Sequence, residues 1–194
     1  MKVAIVRYNA GNTASVVNAL GRLGVEPLIT DSAEELSAAD KVIFPGVGEA
    51  SSAMSYLKDR GLEEVIRGLR QPVLGICLGM QLMCASSEEN DAECLGIVPL
   101  RVRQFPAGGL KVPHMGWNTI SRLKGKLFAG IEEAAYVYFV HGYYVESGPE
   151  AVANSTYGLD FAAALEHENY FAVQFHPERS GAVGEQILRN FLKL

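Results

Sequence analysis

Two kinds of hydrophobic pattern divide the chain. In the first half, compact apolar runs alternate with stretches in which apolar residues recur every three or four positions. Residues 2–6 form such a run and read as a buried strand. Val16, Val17, Leu20 and Leu23 then recur at helical spacing over 13–23, with Gly24 as a stop signal. A second strand is expected at 25–30, and Ser32 with Glu35 has the spacing of a capping box opening a short helix. A third strand at 41–44 runs into Pro45-Gly46-Val47-Gly48. Helical stretches at 49–58 and 62–69 follow, then a strand at 72–76 and a helix from Leu78. This alternation predicts a mostly parallel sheet with helices on both faces.

The second half reads as strands separated by turn residues, at 95–105, 117–121, 136–140, 151–155, 161–166 and 170–175. A closing helix presents Val183, Ile187, Leu188, Phe191 and Leu192 as its apolar face. No repeat or linker separates the halves. The expected fold is α/β: a single domain over 1–194, with a mostly parallel central sheet and an antiparallel-rich second half.

Composition narrows the classes. A chain of 194 residues can bury about two-thirds of its surface, enough for one core. With 48% hydrophobic and 20% charged residues, disorder and fibres are excluded. The longest apolar runs, 134–140 and 161–165, are far short of a membrane span. Arg7, Asn9 and Asn12 interrupt the first run too early for a signal peptide, so a cytoplasmic protein is expected. A net charge of −5, from 17 basic and 22 acidic residues, offers no attraction for nucleic acid or anionic lipid. Three cysteines, in no metal-like spacing, argue for a reducing compartment without a disulfide framework.

One cysteine stands apart. Gly75-Ile76-Cys77-Leu78-Gly79 spans the expected junction of strand and helix and has the form of a nucleophile elbow. A residue on so sharp a turn needs small neighbours two positions back and two forward. In return its side chain projects at a helix N-terminus, which favours thiolate, and the Leu78 amide points where an oxyanion would form. The plainer alternative is a buried cysteine on a glycine-flanked turn. Cys84, seven residues on, reads as core packing on the inner face of the same helix, and Cys94 as incidental in an acidic loop.

A cysteine nucleophile needs a base and an orienting acceptor. His176 follows the last expected strand in Phe175-His176-Pro177-Glu178. If the chain stays extended through Pro177, His176 and Glu178 point the same way, and Glu178 can hold one imidazole nitrogen. On its own the tripeptide reads equally as a solvated turn. Pro45-Gly46-Val47-Gly48 should lie at the same sheet edge and could offer a second oxyanion donor, or be a plain strand-to-helix turn.

Together these three segments resemble the class I, triad-type glutamine amidotransferases over nearly the whole chain. The resemblance implies Cys77 as nucleophile, His176 as base and Glu178 as orienting acid. It implies Val47 and Leu78 as backbone oxyanion donors, and Gly48, Gln81, His141, Gly142 and Tyr143 as glutamine contacts. Val112-Pro113-His114-Met115-Gly116-Trp117-Asn118 further resembles the signature of the glutaminase subunits of imidazole glycerol phosphate synthases. In those subunits it faces a TIM-barrel cyclase partner that receives the ammonia. His114, Met115, Trp117, Asn118 and Arg179 are therefore expected at a heterodimer interface. Without that resemblance, Met115 and Trp117 would read as ordinary core residues.

The chain departs from the family pattern at three places. Gly142 replaces a common serine or threonine, and Arg179 replaces a common lysine with an inequivalent fork. The first loop keeps Gly11-Asn12 but lacks the acidic residue frequent near its start. The implied chemistry is hydrolysis of glutamine through a γ-glutamyl thioester, with ammonia passed to the partner for histidine biosynthesis and conformation at 45–48 able to act as a switch. It needs no metal or organic cofactor, and His114, His141 and His167 show no ligand spacing. The alternatives are an amidotransferase subunit serving anthranilate, aminodeoxychorismate or pyridoxal phosphate synthesis, a stand-alone cysteine hydrolase, and a degenerate scaffold. The 113–118 run argues against the first, and the intact triad residues against the last.

Overall fold

The computed structural model describes residues 1–10 and 13–194, so the Gly11-Asn12 pair lies outside the described residues. The first half follows the expected alternation: β1 (Val3–Val6), α1 (Thr13–Arg22), β2 (Leu28–Thr30), α2 (Ala33–Ser37), β3 (Lys41–Gly46), α3 (Ala50–Asp59), α4 (Leu62–Gly68), β4 (Val73–Cys77) and α5 (Leu78–Met83). The second half holds β5 (Ser86–Ser87), β6 (Ala92–Glu93), β7 (Arg101–Gln104), β8 (His114–Thr119), β9 (Tyr136–His141), β10 (Tyr143–Val145), β11 (Ala151–Thr156), β12 (Asp160–His167), β13 (Tyr170–Val173) and α6 (Gly181–Leu192).

Among the described residues, eleven strands join in one sheet, in the order β2-β1-β3-β4-β13-β12-β10-β7-β5-β6 with β11 attached to β12. From β2 to β13 the pairing is parallel. β12 is antiparallel to β13, β11 and β10, and β10 is antiparallel to β7. The α/β class with an antiparallel-rich second half is thus the one the hydrophobic pattern predicts. β8 and β9 pair with each other in a separate two-stranded ribbon.

The unbroken apolar runs have a simple cause: both sheet faces are covered. β1 sends Ala4 and Val6 to one core and Val3 and Ile5 to the other. Leu36, Leu57, Ile66 and Leu82 from α2 to α5 fill the first, while Leu20 of α1 and Ile187 and Phe191 of α6 fill the second.

Several boundaries differ from expectation. The run at 95–105 is a strand only over Arg101–Gln104, because Gly96 takes a positive φ and Pro99 has no amide to donate. β8 begins three residues earlier than expected, at His114, and β10 went unrecognised among its polar neighbours. Ser32 accepts from the Glu35 amide, but the Glu35 carboxylate turns to the Thr30 hydroxyl, so only half of the capping box forms.

Candidate active site

β3, β4 and β13 end side by side, with Gly46 opposite Cys77 and Val173 opposite Ile76. Ligands of open α/β sheets collect at such carboxyl edges. Cys77 closes β4 with φ 53 and ψ −109, a conformation side chains rarely adopt. A Cβ at Gly79 would run into the Phe44 carbonyl, and one at Gly75 would stand 2.9 Å from Met83 Sδ and 3.0 Å from Met80 N. Gly79 is sterically required, while a side chain at Gly75 would have to displace Met83 and crowd the Met80 amide. The Cys77 sulfur lies 3.6 Å from the Val140 carbonyl oxygen.

The other two cysteines are buried without such a setting. α5 ends at Met83, so Cys84 caps the helix rather than lying on its inner face, and it packs in the first core. Burial pushes the Cys84 thiol up and the Cys94 thiol up to about 12.

His176 lies three residues past β13. Residues Pro177–Arg179 form a 3-10 turn rather than the expected extended segment. The turn is closed at the His176 carbonyl, which accepts from the Arg179 amide at 3.0 Å and the Ser180 hydroxyl at 2.7 Å. It still brings Glu178 back to the imidazole, with Nδ1 and Oε1 2.8 Å apart and both side chains buried. Burial opposes the imidazolium, yet hydrogen bonds and charge from Cys77 and Glu178 outweigh it and push His176 up to about 10.

The two expected oxyanion donors differ. The Leu78 amide opens α5, among those a helix leaves without an intrahelical partner. The Val47 amide instead donates to the Ala10 carbonyl at 2.6 Å, and the Tyr8 hydroxyl donates to the Pro45 carbonyl at 2.7 Å. Residues 8–10 therefore hold the 45–48 loop with one expected donor already engaged.

Cys77, Leu78 and His176 open on a cavity of about 260 Å³, which Val47, Gly48, Gln81, His141, Gly142 and Tyr143 also line. The expected site residues of both halves are thus brought together. Sequence reasoning missed Glu89 and Val140 on the same wall, and named Pro113 only within the signature expected to face the partner. Glu89 accepts from the Ala50 amide at 2.7 Å, and burial raises its pKa. It sits among other acidic residues of the loop before Cys94, and nothing in that run distinguishes it. Gln174, buried beside Cys77, was hidden inside an apolar run; a lone polar residue there was the available signal.

The residues expected at an interface separate into two groups. Met115 and Trp117 stand 61% and 55% exposed on the β8–β9 ribbon, and Arg179 is exposed at the cavity rim. His114 does not join them: it is 4% exposed, stacked on Tyr157 and Phe139. Strand alternation turns it inward, opposite His141. Hydrogen-bond chemistry fixes both rings. The Tyr143 carbonyl only accepts, so His141 Nδ1, 2.7 Å away, carries the proton. His141 Nε2 then accepts from His114 Nδ1 at 2.9 Å, and His114 Nε2 accepts from Asn118 Nδ2 at 3.4 Å. Burial pushes His114 down to about 4 and His141 down to about 3, so both are neutral. Asn118, half-buried, also donates to the Thr156 carbonyl at 2.9 Å.

Among the described residues, no group of three or more His, Cys, Asp or Glu is placed to hold a metal ion. No described helix is long and apolar enough to cross a membrane.

Residues 4–194 match the family described as glutamine amidotransferase class-I. Imidazole glycerol phosphate synthase subunit HisH of Bacteroides fragilis is 57% identical over 196 aligned positions, covering 100% of both chains. The protein of that name from Idiomarina loihiensis is 47% identical over 100% of this chain and 98% of its own. Among solved structures, PurLQS from Thermotoga maritima has the same fold, with a TM-score of 0.73 at 18% identity over 99% of this chain and 97% of that one.

Proposed function

This chain belongs to the class I glutamine amidotransferases, and from that premise we propose that it is the glutaminase subunit of imidazole glycerol phosphate synthase. It hydrolyses glutamine to glutamate and ammonia, and a cyclase subunit consumes the ammonia in histidine biosynthesis. The observation that carries the reading is Cys77 on its strained elbow beside a His176 whose far nitrogen is held by Glu178.

Glutamine enters with its carboxamide over Cys77. The α-ammonium group meets the Glu89 carboxylate and the polar wall of Gln81 and residues 141–143. The sulfur attacks the carboxamide carbon, and the resulting oxyanion takes the Leu78 amide and a second donor from the 45–48 loop. His176, held protonated by Cys77 and Glu178, delivers its proton to the departing nitrogen. The C–N bond breaks, ammonia leaves, and the acyl group stays on sulfur. Neutral His176 then takes a proton from water, whose oxygen attacks the thioester. Glutamate departs and the thiolate and imidazolium are restored.

The Val47 amide already has a partner in Ala10. Release of that contact completes the oxyanion site, which supports a glutaminase that is weak alone and active when covered. One missing donor costs about 10²–10³ in rate. The exposed Met115 and Trp117 on the ribbon, with Arg179 at the cavity rim, supply the face that a cyclase barrel covers in a cytoplasmic heterodimer. Ammonia passed directly across such a face escapes protonation in bulk water.

Mixing the purified chain with a cyclase barrel tests the reading. Glutamate release is expected to rise by about 10²-fold or more on mixing, and further with the cyclase's nucleotide ligand. Cys77→Ala in the assembled complex should lower turnover by at least about 10⁴-fold, and turnover equal to the unchanged chain would sink the assignment.

A further inference from the structure

We propose that Gln174 is a positioning residue for the Cys77 sulfur, supplying a fixed hydrogen-bond donor that does not leave during turnover. The inference rests on the reading of Cys77 as the nucleophile. Gln174 directly follows β13, and extending the β4–β13 register beyond Val173–Ile76 sets it beside Cys77. It is wholly buried. A buried amide must place two donors and an acceptor on suitable partners. Its Nε2 lies 3.7 Å from Cys77 Sγ, and its Oε1 lies 2.9 Å from Gln81 Nε2.

The direction of that amide is decided at the far end of a short chain of contacts. The Tyr143 carbonyl can only accept, and it faces the Gln81 amide at 3.1 Å, so Gln81 presents nitrogen there. The same nitrogen faces Gln174, which must answer with its oxygen. Its own nitrogen is therefore turned to the sulfur. Flipping the Gln174 amide would oppose two NH₂ groups at Gln81 and set a carbonyl oxygen against the thiolate sulfur, removing the donor it would otherwise receive. A backbone carbonyl on β10 thus sets the polarity of the donor that Cys77 receives.

This donor complements His176. Donation to sulfur favours the thiolate over the thiol. The histidine proton leaves with ammonia and later returns from water, whereas the Gln174 N–H stays throughout. When His176 is neutral and the thioester is hydrolysed, Gln174 continues to hold the departing sulfur in place.

Alkylation of Cys77 by iodoacetamide, followed peptide by peptide by mass spectrometry across pH on the full chain, tests this without glutamine or partner. Gln174→Glu replaces the donor with an acceptor and should slow alkylation near pH 7 by about tenfold, moving the profile to higher pH. Gln174→Met, which fills similar volume with no donor, should move the profile the same way by less. A folded variant, judged by circular dichroism, whose profile coincides with that of the unchanged chain overturns the proposal. If the glutamate variant fails to fold, the methionine variant decides. A shifted profile without glutaminase in the complex would refute the proposed function and leave this inference standing. Active glutaminase with an unshifted profile would do the reverse.

Discussion

The carboxyl edge of β3, β4 and β13 and the β8–β9 ribbon meet at the same cavity but are built in opposite ways. At the edge there is no spare volume: a Cβ at Gly46 would meet the Tyr8 hydroxyl, and those at Gly75 and Gly79 would meet α5 and Phe44. The ribbon leaves Met115, Trp117 and Tyr136 in solvent, and a Cβ at Gly142, which directly follows β9 at the ribbon's end, would make only an ordinary contact with Val112. On its inner face the ribbon buries a polar pair, His114 and His141, beside Val137 and Phe139 of the second core. Yet the ribbon backbone holds the proposed nucleophile and base, since the Tyr138 carbonyl accepts from the His176 amide at 2.9 Å and the Val140 carbonyl touches Cys77. Tight packing fixes Cys77 and its neighbours, while a ribbon with one exposed face touching the same residues offers the proposed partner something to grip.

That contrast can be tested most strongly with single methyl groups. Gly79→Ala forces a Cβ onto a backbone carbonyl and should cost more than about 4 kcal/mol, leaving little folded protein. Gly142→Ala should change unfolding free energy by less than about 0.5 kcal/mol in denaturant titrations. Similar costs at both positions would erase the distinction between edge and ribbon.

The next effect is acid sensitivity. Folded His114 and His141 bind a proton only near pH 4 and pH 3, whereas in the unfolded chain they do so near the ordinary 6.5. Their contribution is complete above about 6.5 and is lost as pH falls toward the folded values, by about 2 kcal/mol per histidine at pH 5. His176 has the opposite sign: raised to about 10, it stabilises below 6.5 and loses that contribution as pH climbs through 10. Denaturant titrations at pH 7 and pH 5 should therefore show a large acid loss, roughly halved in His114→Phe. An unchanged acid slope in that variant would place the sensitivity outside the ribbon.

The smallest effect concerns the exposed side of the ribbon. Trp117→Ala should weaken cyclase binding by about 2 kcal/mol, near thirtyfold in Kd, while the isolated chain keeps its stability within about 0.5 kcal/mol. Equal losses in binding and folding would make Trp117 a core residue after all.

The elbow at Gly75–Gly79, the strand-helix alternation and the Phe175-His176-Pro177-Glu178 segment were all legible in the amino-acid order. They rest on sterics and periodicity among near neighbours, which a sequence displays directly. Even there, Pro177 restricted one torsion without choosing between an extended chain and a 3-10 turn; Ser180, closing on the His176 carbonyl and donated to by the Tyr138 amide, made that choice. Only the tertiary structure turned His114 inward against His141, engaged Val47 with Ala10, put Glu89 on the cavity wall and set Gln174 on the sulfur. Gln174 and Cys77 are 97 residues apart, and His114 and His141 are 27 apart. Whether a polar side chain meets solvent or a buried partner depends on such distant contacts. Periodicity marks which face of an element is apolar, but not which polar groups the fold brings together.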